Sequence, residues 1–203
     1  VEFRTPSNIR AYARFDEAAE LFEEAFVLRR EHLGSEHPDV ASSLRDLGWL
    51  AYVRGDYDRA EVLYTDALAL QRLSLPSDHL AIAADLEGLG IVRRVRGDMN
   101  LALTHLREAL AIREAQLPPE DERIATTLNQ LAYVLYNKGD YESAEPIYQR
   151  VVALRREQLG DHVQTAQVLN DYAALLLADD RADESVVLHE EALAIRRRLL
   201  GSD

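Results

Sequence analysis

The chain has 203 residues, of which 47% are hydrophobic and 29% are charged, a balance far from that of disordered chains. Its net charge of −13 argues against nucleic-acid binding, because phosphate contacts need a surplus of Lys and Arg. The absence of cysteine excludes disulfides and thiolate metal sites, and no apolar run is long enough to cross a bilayer. We therefore expect a soluble protein with no membrane contact. Since its start does not resemble a signal peptide, we also expect a cytoplasmic location.

A Gly-Asp marker recurs at a fixed spacing and divides the chain into similar repeats. It stands at Gly55-Asp56, Gly97-Asp98 and Gly139-Asp140, at steps of 42 residues, and Asp180-Arg181 takes its place after a step of 41. Repeats of such a period cannot bury an apolar face alone and stack on their neighbours. We therefore expect one repeat array over residues 1–203. It would comprise a partial repeat at 1–38 and full repeats at about 39–79, 80–121, 122–162 and 163–203.

Each full repeat has two apolar patterns of helical period, one on either side of the marker. The first, helix A, places apolar residues at i and i+3 and a small residue at i+4, as in Leu44, Leu47 and Gly48. The second, helix B, repeats small residues such as Ala60 and Ala144 on one face. The marker glycine can take a left-handed conformation, so the two helices should form an antiparallel hairpin. The predicted helices are 13–32, 39–54, 57–74, 80–96, 99–116, 122–138, 141–158, 163–178 and 182–200, and no segment predicts a strand.

Several residues near helix ends have a structural explanation. Pro146 lies in the first turns of a helix B, where a missing N–H costs least, so we expect that helix to continue through it. His37, His79 and His162 fall in the turns between repeats, where helix capping is the ordinary role. Basic residues cluster in the last turns of helix B, where they complement the helix dipole, at Arg29-Arg30, Arg155-Arg156 and Arg196-Arg197-Arg198.

The arrangement of small and aromatic residues resembles the tetratricopeptide repeat. Small residues stand at the eighth, twentieth and twenty-seventh positions of each repeat, and aromatic residues near the seventeenth and twenty-fourth. The 42-residue period, and segments such as 33–41 and 139–148, are similar to kinesin-light-chain-type repeats. The resemblance covers residues 13–203 and implies an all-α fold, a right-handed α-solenoid of antiparallel helix hairpins. Residues 1–12 do not fit the missing helix A, and the last repeat has lost its Gly-Asp marker.

The resemblance also implies a concave wall built mainly from helices A, which binds extended peptides at five positions of each repeat. The candidate groove residues at these positions are Arg45, Trp49, Tyr52, Arg94, Asn129, Tyr133, Tyr136, Asn137 and Asn170. Tyr and Trp give a large contact area at low entropic cost, and asparagines can hydrogen-bond a ligand's backbone. The alternative, that Trp49 or Tyr133 packs between adjacent helices A, stays open. Arg45 and Glu87 interrupt the set of residues with which related repeats bind a C-terminal carboxylate, so that ligand is not favoured.

No residue set predicts catalysis, a metal site or a cofactor. His32, His105 and His189 lie on separate helices B, without a second ligand at metal spacing. The sequence has no phosphate-binding glycine loop and no nucleophile motif. We therefore expect a protein that is not an enzyme and binds no cofactor.

Two functions remain open. The first is a protein–protein interaction scaffold that binds a peptide or partner segment in the concave groove. The second is a self-assembly element, or a regulatory or sensor module of a larger multidomain protein. The last helix carries apolar residues that nothing after Asp203 would cover, and a homo-oligomer would hide them: Val186, Val187, Leu188, Ile195, Leu199 and Leu200. A missing continuation of the chain would produce the same pattern.

Overall fold

All regular elements in the described part of the chain are α-helices. The computed structural model describes the backbone of residues 6–201 and the side chains of residues 17–201. The helices are α1 (Pro6–Leu33), α2 (Pro38–Val53), α3 (Tyr57–Ser74), α4 (Leu80–Val95), α5 (Met99–Gln116), α6 (Glu122–Asn137), α7 (Tyr141–Leu159), α8 (Val163–Ala178) and α9 (Ala182–Leu200). The predicted all-α repeat fold is confirmed, and α2 to α9 begin and end within one residue of their predicted bounds.

The predicted start of α1 was wrong. The helix begins at Pro6, seven residues before the predicted start at residue 13. Proline favours the first position of a helix, because its φ angle is already helical and the N–H that it lacks would have no partner there. Residues 1–5, which include Thr5, lie outside the described part of the chain.

Contacts divide the chain into two compact units, residues 1–98 and residues 99–203. In the first unit, α2 packs against α1, α3 and α4, and α3 also packs against α4. In the second unit, α6 packs against α5, α7 and α8, while α7 packs against α8 and α8 against α9. Each unit therefore places two helices A side by side, α2 with α4 and α6 with α8. The single continuous array stays a prediction.

The marker ends one helix and begins the next. Its three glycines have positive φ angles of 79°, 87° and 75°, which other residues adopt only at a cost. Asp56 and Asp140 cap the following helices by accepting a backbone N–H three residues later, at 3.1 and 3.2 Å. In the last copy, Asp180 adopts a positive φ of 59°, and Arg181 makes no side-chain capping bond. The altered marker therefore keeps the turn and loses the cap.

The predicted capping role of the three histidines is confirmed. In each case Nδ1 accepts the backbone N–H two residues later, at 3.1 Å for His37 and His79 and at 3.2 Å for His162. Asp121 does the same for α6 at 2.9 Å. The expectation for Pro146 is confirmed as well, since α7 continues through it.

Basic residues near the end of helix B also join it to helix A, beyond their expected interaction with the helix dipole. Arg29 donates to Ser43 Oγ of the following helix A at 2.8 Å. Arg113, at the equivalent position two repeats later, donates to Thr127 Oγ1 and is 5% exposed. Arg155 is 7% exposed and hydrogen-bonds a threonine of α6, its own helix A. These side chains are part of the packing between helices.

The small residues of helix B are buried, as the packing of hairpins requires. Ala60, Ala67, Ala102, Ala109, Ala144 and Ala192 are all 0% exposed. In the first unit, the ring of Tyr64 lies between Gly48 of α2 and Gly88 of α4. A Cβ atom on Gly88 would lie 2.2 Å from Tyr64 Cε1, and one on Gly48 would lie 3.2 Å from Tyr64 Cδ2. The ring fills the space that the two glycines leave.

The expectation that six apolar residues of α9 lack a cover was wrong for two of them. Ile195 is 2% exposed within the core of the second unit, and Leu188 packs against the same core. Both lie on the face of α9 that packs against α8. The other four are exposed, namely Val186, Val187, Leu199 and Leu200.

Candidate functional site

The candidate groove residues lie on two pairs of helices A. We call the surface formed by α2 and α4 the first face, and the surface formed by α6 and α8 the second face. The first face carries Arg45, Trp49 and Tyr52 on α2 and Arg94 on α4. The second face carries Asn129, Tyr133, Tyr136 and Asn137 on α6 and Asn170 on α8.

The first face exposes apolar side chains. Trp49 is 48% exposed, Val53 is 40% exposed and Val95 is 37% exposed. Tyr52 is half-buried, with its ring centroid 5.8 Å from that of Tyr57. About half of the surface of Trp49 is thus open to solvent.

Arg45 of the first face is bound to a buried carboxylate. Its Nη1 donates to Asp85 Oδ1 at 3.2 Å. Asp85 is 0% exposed, and its second carboxylate oxygen has no hydrogen-bond partner. Burial raises the pKa of Asp85 to about 7, although the charge and hydrogen bond of Arg45 oppose the shift. Part of the Arg45 guanidinium is therefore bound to Asp85. Arg94, the other candidate arginine of the first face, is half-buried.

Tyrosines line the second face. The ring centroids of Tyr133 and Tyr136 are 6.2 Å apart, and those of Tyr136 and Tyr141 are 6.0 Å apart. Asn137 is exposed and donates its amide to the carbonyl of Tyr133 at 2.7 Å. Tyr133 and Tyr136 are half-buried, so each keeps part of its ring surface accessible.

The two predicted backbone-binding asparagines are both engaged within the chain. Asn129 hydrogen-bonds Asp171, while its own Oδ1 is buried without a partner. Asn170 lies between two side chains of α9. With its amide oriented to satisfy both atoms, the nitrogen donates to His189 Nδ1 at 3.0 Å and the oxygen accepts from Arg196 at 2.7 and 2.6 Å. Asn129 therefore keeps an acceptor for a ligand, whereas the amide of Asn170 is bound by α9.

Two polar residues near the second face were not predicted from the sequence: Asp171 on α8 and the buried Tyr148 on α7. Asp171 accepts from Gln167 Nε2 at 2.8 Å as well as from Asn129, which places its carboxylate between α6 and α8. Tyr148 of α7 is 0% exposed and stacks on Tyr172, with ring centroids 6.1 Å apart and planes 14° apart. The Tyr148 hydroxyl has no hydrogen-bond partner. The sequence did contain an indication that Asp171 is unusual, because it is the only charged residue of segments 124–137 and 163–178.

The sequence matches the profile of the tetratricopeptide repeat over residues 13–73, 54–115 and 123–202, which together span most of its length. The chain belongs to the tetratricopeptide repeat family. The resemblance seen in the sequence is thus confirmed. No curated protein matches the chain.

Solved structures of several other proteins have the same fold. A variant of the nearly identical repeats of a candidate kinesin light chain from Podosopora anserina is 23% identical, with a TM-score of 0.78, covering 99% of this chain and 100% of that one. BtubC (BKLC) from P. vanneervenii is 21% identical, with a TM-score of 0.84 over 96% of this chain and 78% of that one. YrrB is 16% identical, with a TM-score of 0.58 over 92% of this chain and 80% of that one. At these identities the likeness shows the fold.

Membership of this family makes the chain a scaffold for protein–protein interaction, a class that is generally not enzymatic. Within the described residues, no helix is long and apolar enough to cross a membrane. Chemically, the two faces offer apolar and aromatic contact area and a small number of hydrogen-bonding groups. Such surfaces bind polypeptide segments.

Proposed function

We propose that the chain binds an extended peptide or partner segment on its helix A faces. The observation that carries the proposal is the exposure of Trp49, at 48%, beside Val53 and Val95. Tryptophan is highly buried on average, and exposed apolar surface is typical of interaction sites. YrrB, which shares the fold, is described as a tetratricopeptide repeat protein with an unusual peptide-binding site, so peptide binding has a precedent on this scaffold.

Each face would offer its own contacts to a bound segment. On the first face, apolar side chains of the segment would pack against Trp49 and the valines beside it. On the second face, the half-buried rings of Tyr133 and Tyr136 would provide contact area at low entropic cost. The unpartnered oxygen of Asn129 would accept a hydrogen bond from the segment.

Replacement of aromatic residues on the faces should weaken binding. Random peptides would be selected by display on the immobilised full chain, and each selected peptide would then be titrated against the wild type, Trp49→Ala and Tyr133→Ala. We expect each peptide to lose affinity about tenfold in at least one of the two variants, because a large contact area is removed. Trp49 is the only tryptophan. Its emission should therefore shift to shorter wavelength when a peptide covers the first face.

The matched control is Leu73→Ala, because Leu73 is 78% exposed and belongs to α3, a helix B, instead of a helix A. This variant should bind every selected peptide as the wild type does. Circular dichroism would establish that all variants keep their helices. Peptides that bind Trp49→Ala and Tyr133→Ala with unchanged affinity would place the binding site elsewhere and contradict the proposal.

Self-assembly through α9 is a second candidate function, favoured by a row of exposed apolar residues. Val186, Leu193 and Leu200 are spaced seven residues apart on one side of α9 and are 53%, 45% and 80% exposed. Val152 occupies the position on α7 that Leu193 occupies on α9, one repeat later. It is only 6% exposed, because α8 packs against it. A second copy of the chain that covered this row would bury a comparable surface.

The oligomeric state tests this candidate. Light scattering coupled to size exclusion should show dimers or larger species whose fraction rises with concentration. The double variant Leu193→Glu, Leu200→Glu should need at least about tenfold more protein for the same fraction, since each charge would have to be buried. The matched control, Leu73→Glu, should associate as the wild type does. A monomer at every concentration would contradict self-assembly and leave peptide binding unaffected.

A further inference from the structure

We propose that the second face binds a basic side chain, Lys or Arg, of the bound segment at the carboxylate of Asp171. This inference rests on the proposed function, since it specifies the partner that the helix A faces would select. The site comprises the side chains of Asp171 and Asn129, the buried hydroxyl of Tyr148, and the rings of Tyr133 and Tyr136, which follow Asn129 along α6.

Asp171 is an isolated and well-positioned negative charge. No other residue of segments 124–137 and 163–178 is charged. Gln167 and Asn129 both donate to its carboxylate, the former at 2.8 Å, and so fix its orientation. Burial raises the pKa of this carboxyl, which means that the surrounding protein stabilises the anion less well than water does. A cation that approaches the carboxylate in this partly buried position would gain more than it would at an exposed site.

The hydrogen-bonding atoms that remain unused suit a ligand group that only donates. The amide nitrogen of Asn129 faces Asp171, because a carboxylate only accepts, and this fixes the amide oxygen as an acceptor without a partner. Ammonium and guanidinium groups carry several donors and no acceptor. A carboxylate or carbonyl of a ligand would instead meet like partial charges at both groups. The site therefore favours a basic side chain over an acidic one.

The hydroxyl of Tyr148 supplies an independent indication of a ligand. The side chain is 0% exposed and its hydroxyl has no hydrogen-bond partner, an arrangement that costs about 1–3 kcal/mol when nothing offsets it. Burial raises the pKa of Tyr148, and Asp171, Tyr133 and Tyr136 are close enough to raise it further. The hydroxyl therefore keeps its proton. The ring that carries it stacks on Tyr172, the residue after Asp171, with ring centroids 6.1 Å apart.

The surrounding groups also suit a cation. Tyrosine rings attract ammonium and guanidinium groups through their negative faces. Tyr133 and Tyr136 stand four and seven residues after Asn129, on the same side of α6. Arg196 is a cation of the second unit near Asp171, and it is hydrogen-bonded to Asn170. Of the groups that shift the pKa of Asp171, it has the smallest effect. The net charge of −13 would in addition speed the approach of a basic partner.

A positional-scanning array of acetylated, amidated nonapeptides on the full chain tests the proposal. We expect peptides that lose affinity in Tyr133→Ala to prefer Lys or Arg at one position. Replacing that residue by leucine in the best peptide should weaken binding about tenfold, and Asp171→Asn should weaken binding of the basic peptide by a similar factor. Asp171→Asn should leave the leucine peptide unchanged, so that the two substitutions are not additive.

Two further variants separate the specific contact from general electrostatics and from packing. Glu157→Gln on α7 changes the net charge by the same amount at an exposed position and should bind the basic peptide as the wild type does. Tyr148→Phe removes a buried hydroxyl without a partner, so it should keep the melting temperature while weakening the basic peptide severalfold. Equal losses of affinity for the basic peptide in Asp171→Asn and Glu157→Gln would overturn the inference, as would selected peptides without a preference for Lys or Arg. Either result would leave the proposal of peptide binding unaffected. Failure of every peptide to bind would overturn the proposed function itself.

Discussion

Gly88→Ala is expected to lower the free energy of unfolding by about 2–3 kcal/mol. The added methyl group would lie 2.2 Å from Cε1 of Tyr64, far inside van der Waals contact. The ring cannot retreat easily, because Gly48 packs against its other side, where an added Cβ would already lie 3.2 Å away. Since Tyr64 is 6% exposed, relief would require a shift of α3 against α2 or α4. Denaturant unfolding followed by circular dichroism measures the loss.

The effect of Gly88→Ala on the free energy of unfolding should change sign when the ring of Tyr64 is removed. Leu106 occupies the equivalent position in the next helix B and is 0% exposed, which shows that leucine suits this position. In a Tyr64→Leu background, Gly88→Ala should therefore stabilise the chain by about 0.5–1 kcal/mol, because alanine favours a helix more than glycine does. An equal loss in both backgrounds would show that the Tyr64 ring is not the cause. Gly48→Ala should cost less than Gly88→Ala, since its contact is longer.

Periodicity was sufficient to predict the helices but not their individual contacts. The bounds of α2 to α9 follow from the marker, the caps and the apolar spacing, which are all local in sequence. The close approach at Gly88 depends on which side chain of α3 faces it. The repeat pattern marks a small residue at Gly48 and Gly90, and Gly88 stands two residues before the second of these. Pro6 could have been recognised as a helix start, because its residue type alone favours that position.

For the candidate site, the sequence likewise predicted where residues lie along the helices but not their polar contacts. Register along helix A placed the nine candidate residues on two faces, and their role in binding stays a prediction. The ion pair of Arg45 with Asp85 and the bond of Asn129 with Asp171 join helices about one repeat apart, and nothing in the spacing of apolar residues indicates them. Asn170 is likewise engaged by α9 through contacts that only the folded chain reveals. Polar partners between helices depend on side-chain direction, which a residue pattern does not specify.

Asp85→Asn is expected to stabilise the chain at alkaline pH by about 1–3 kcal/mol and to have a smaller effect at acid pH. The folded-state pKa of Asp85 is raised to about 7 from the ordinary value of 3.8. The folded chain therefore binds this proton more tightly than the unfolded chain does. The stability that this group contributes is fully present below about 3.8 and is lost as the pH rises through about 7. Asparagine keeps the size of the side chain and its acceptor oxygen, and it has no charge to bury.

The measurement is the free energy of unfolding of the wild type and the variant at about pH 5 and about pH 8. The difference between them should grow with pH across this interval, because only the wild type ionises a fully buried carboxyl there. Arg45 loses its charged partner in the variant, but its side chain is 26% exposed and water can solvate it. Asp66→Asn, at an exposed position on α3, is the matched control and should show no such growth. If Asp85→Asn destabilised the chain more at about pH 8 than at about pH 5, the attraction to Arg45 would outweigh the cost of burial, and Asp85 would be a stabilising anion instead.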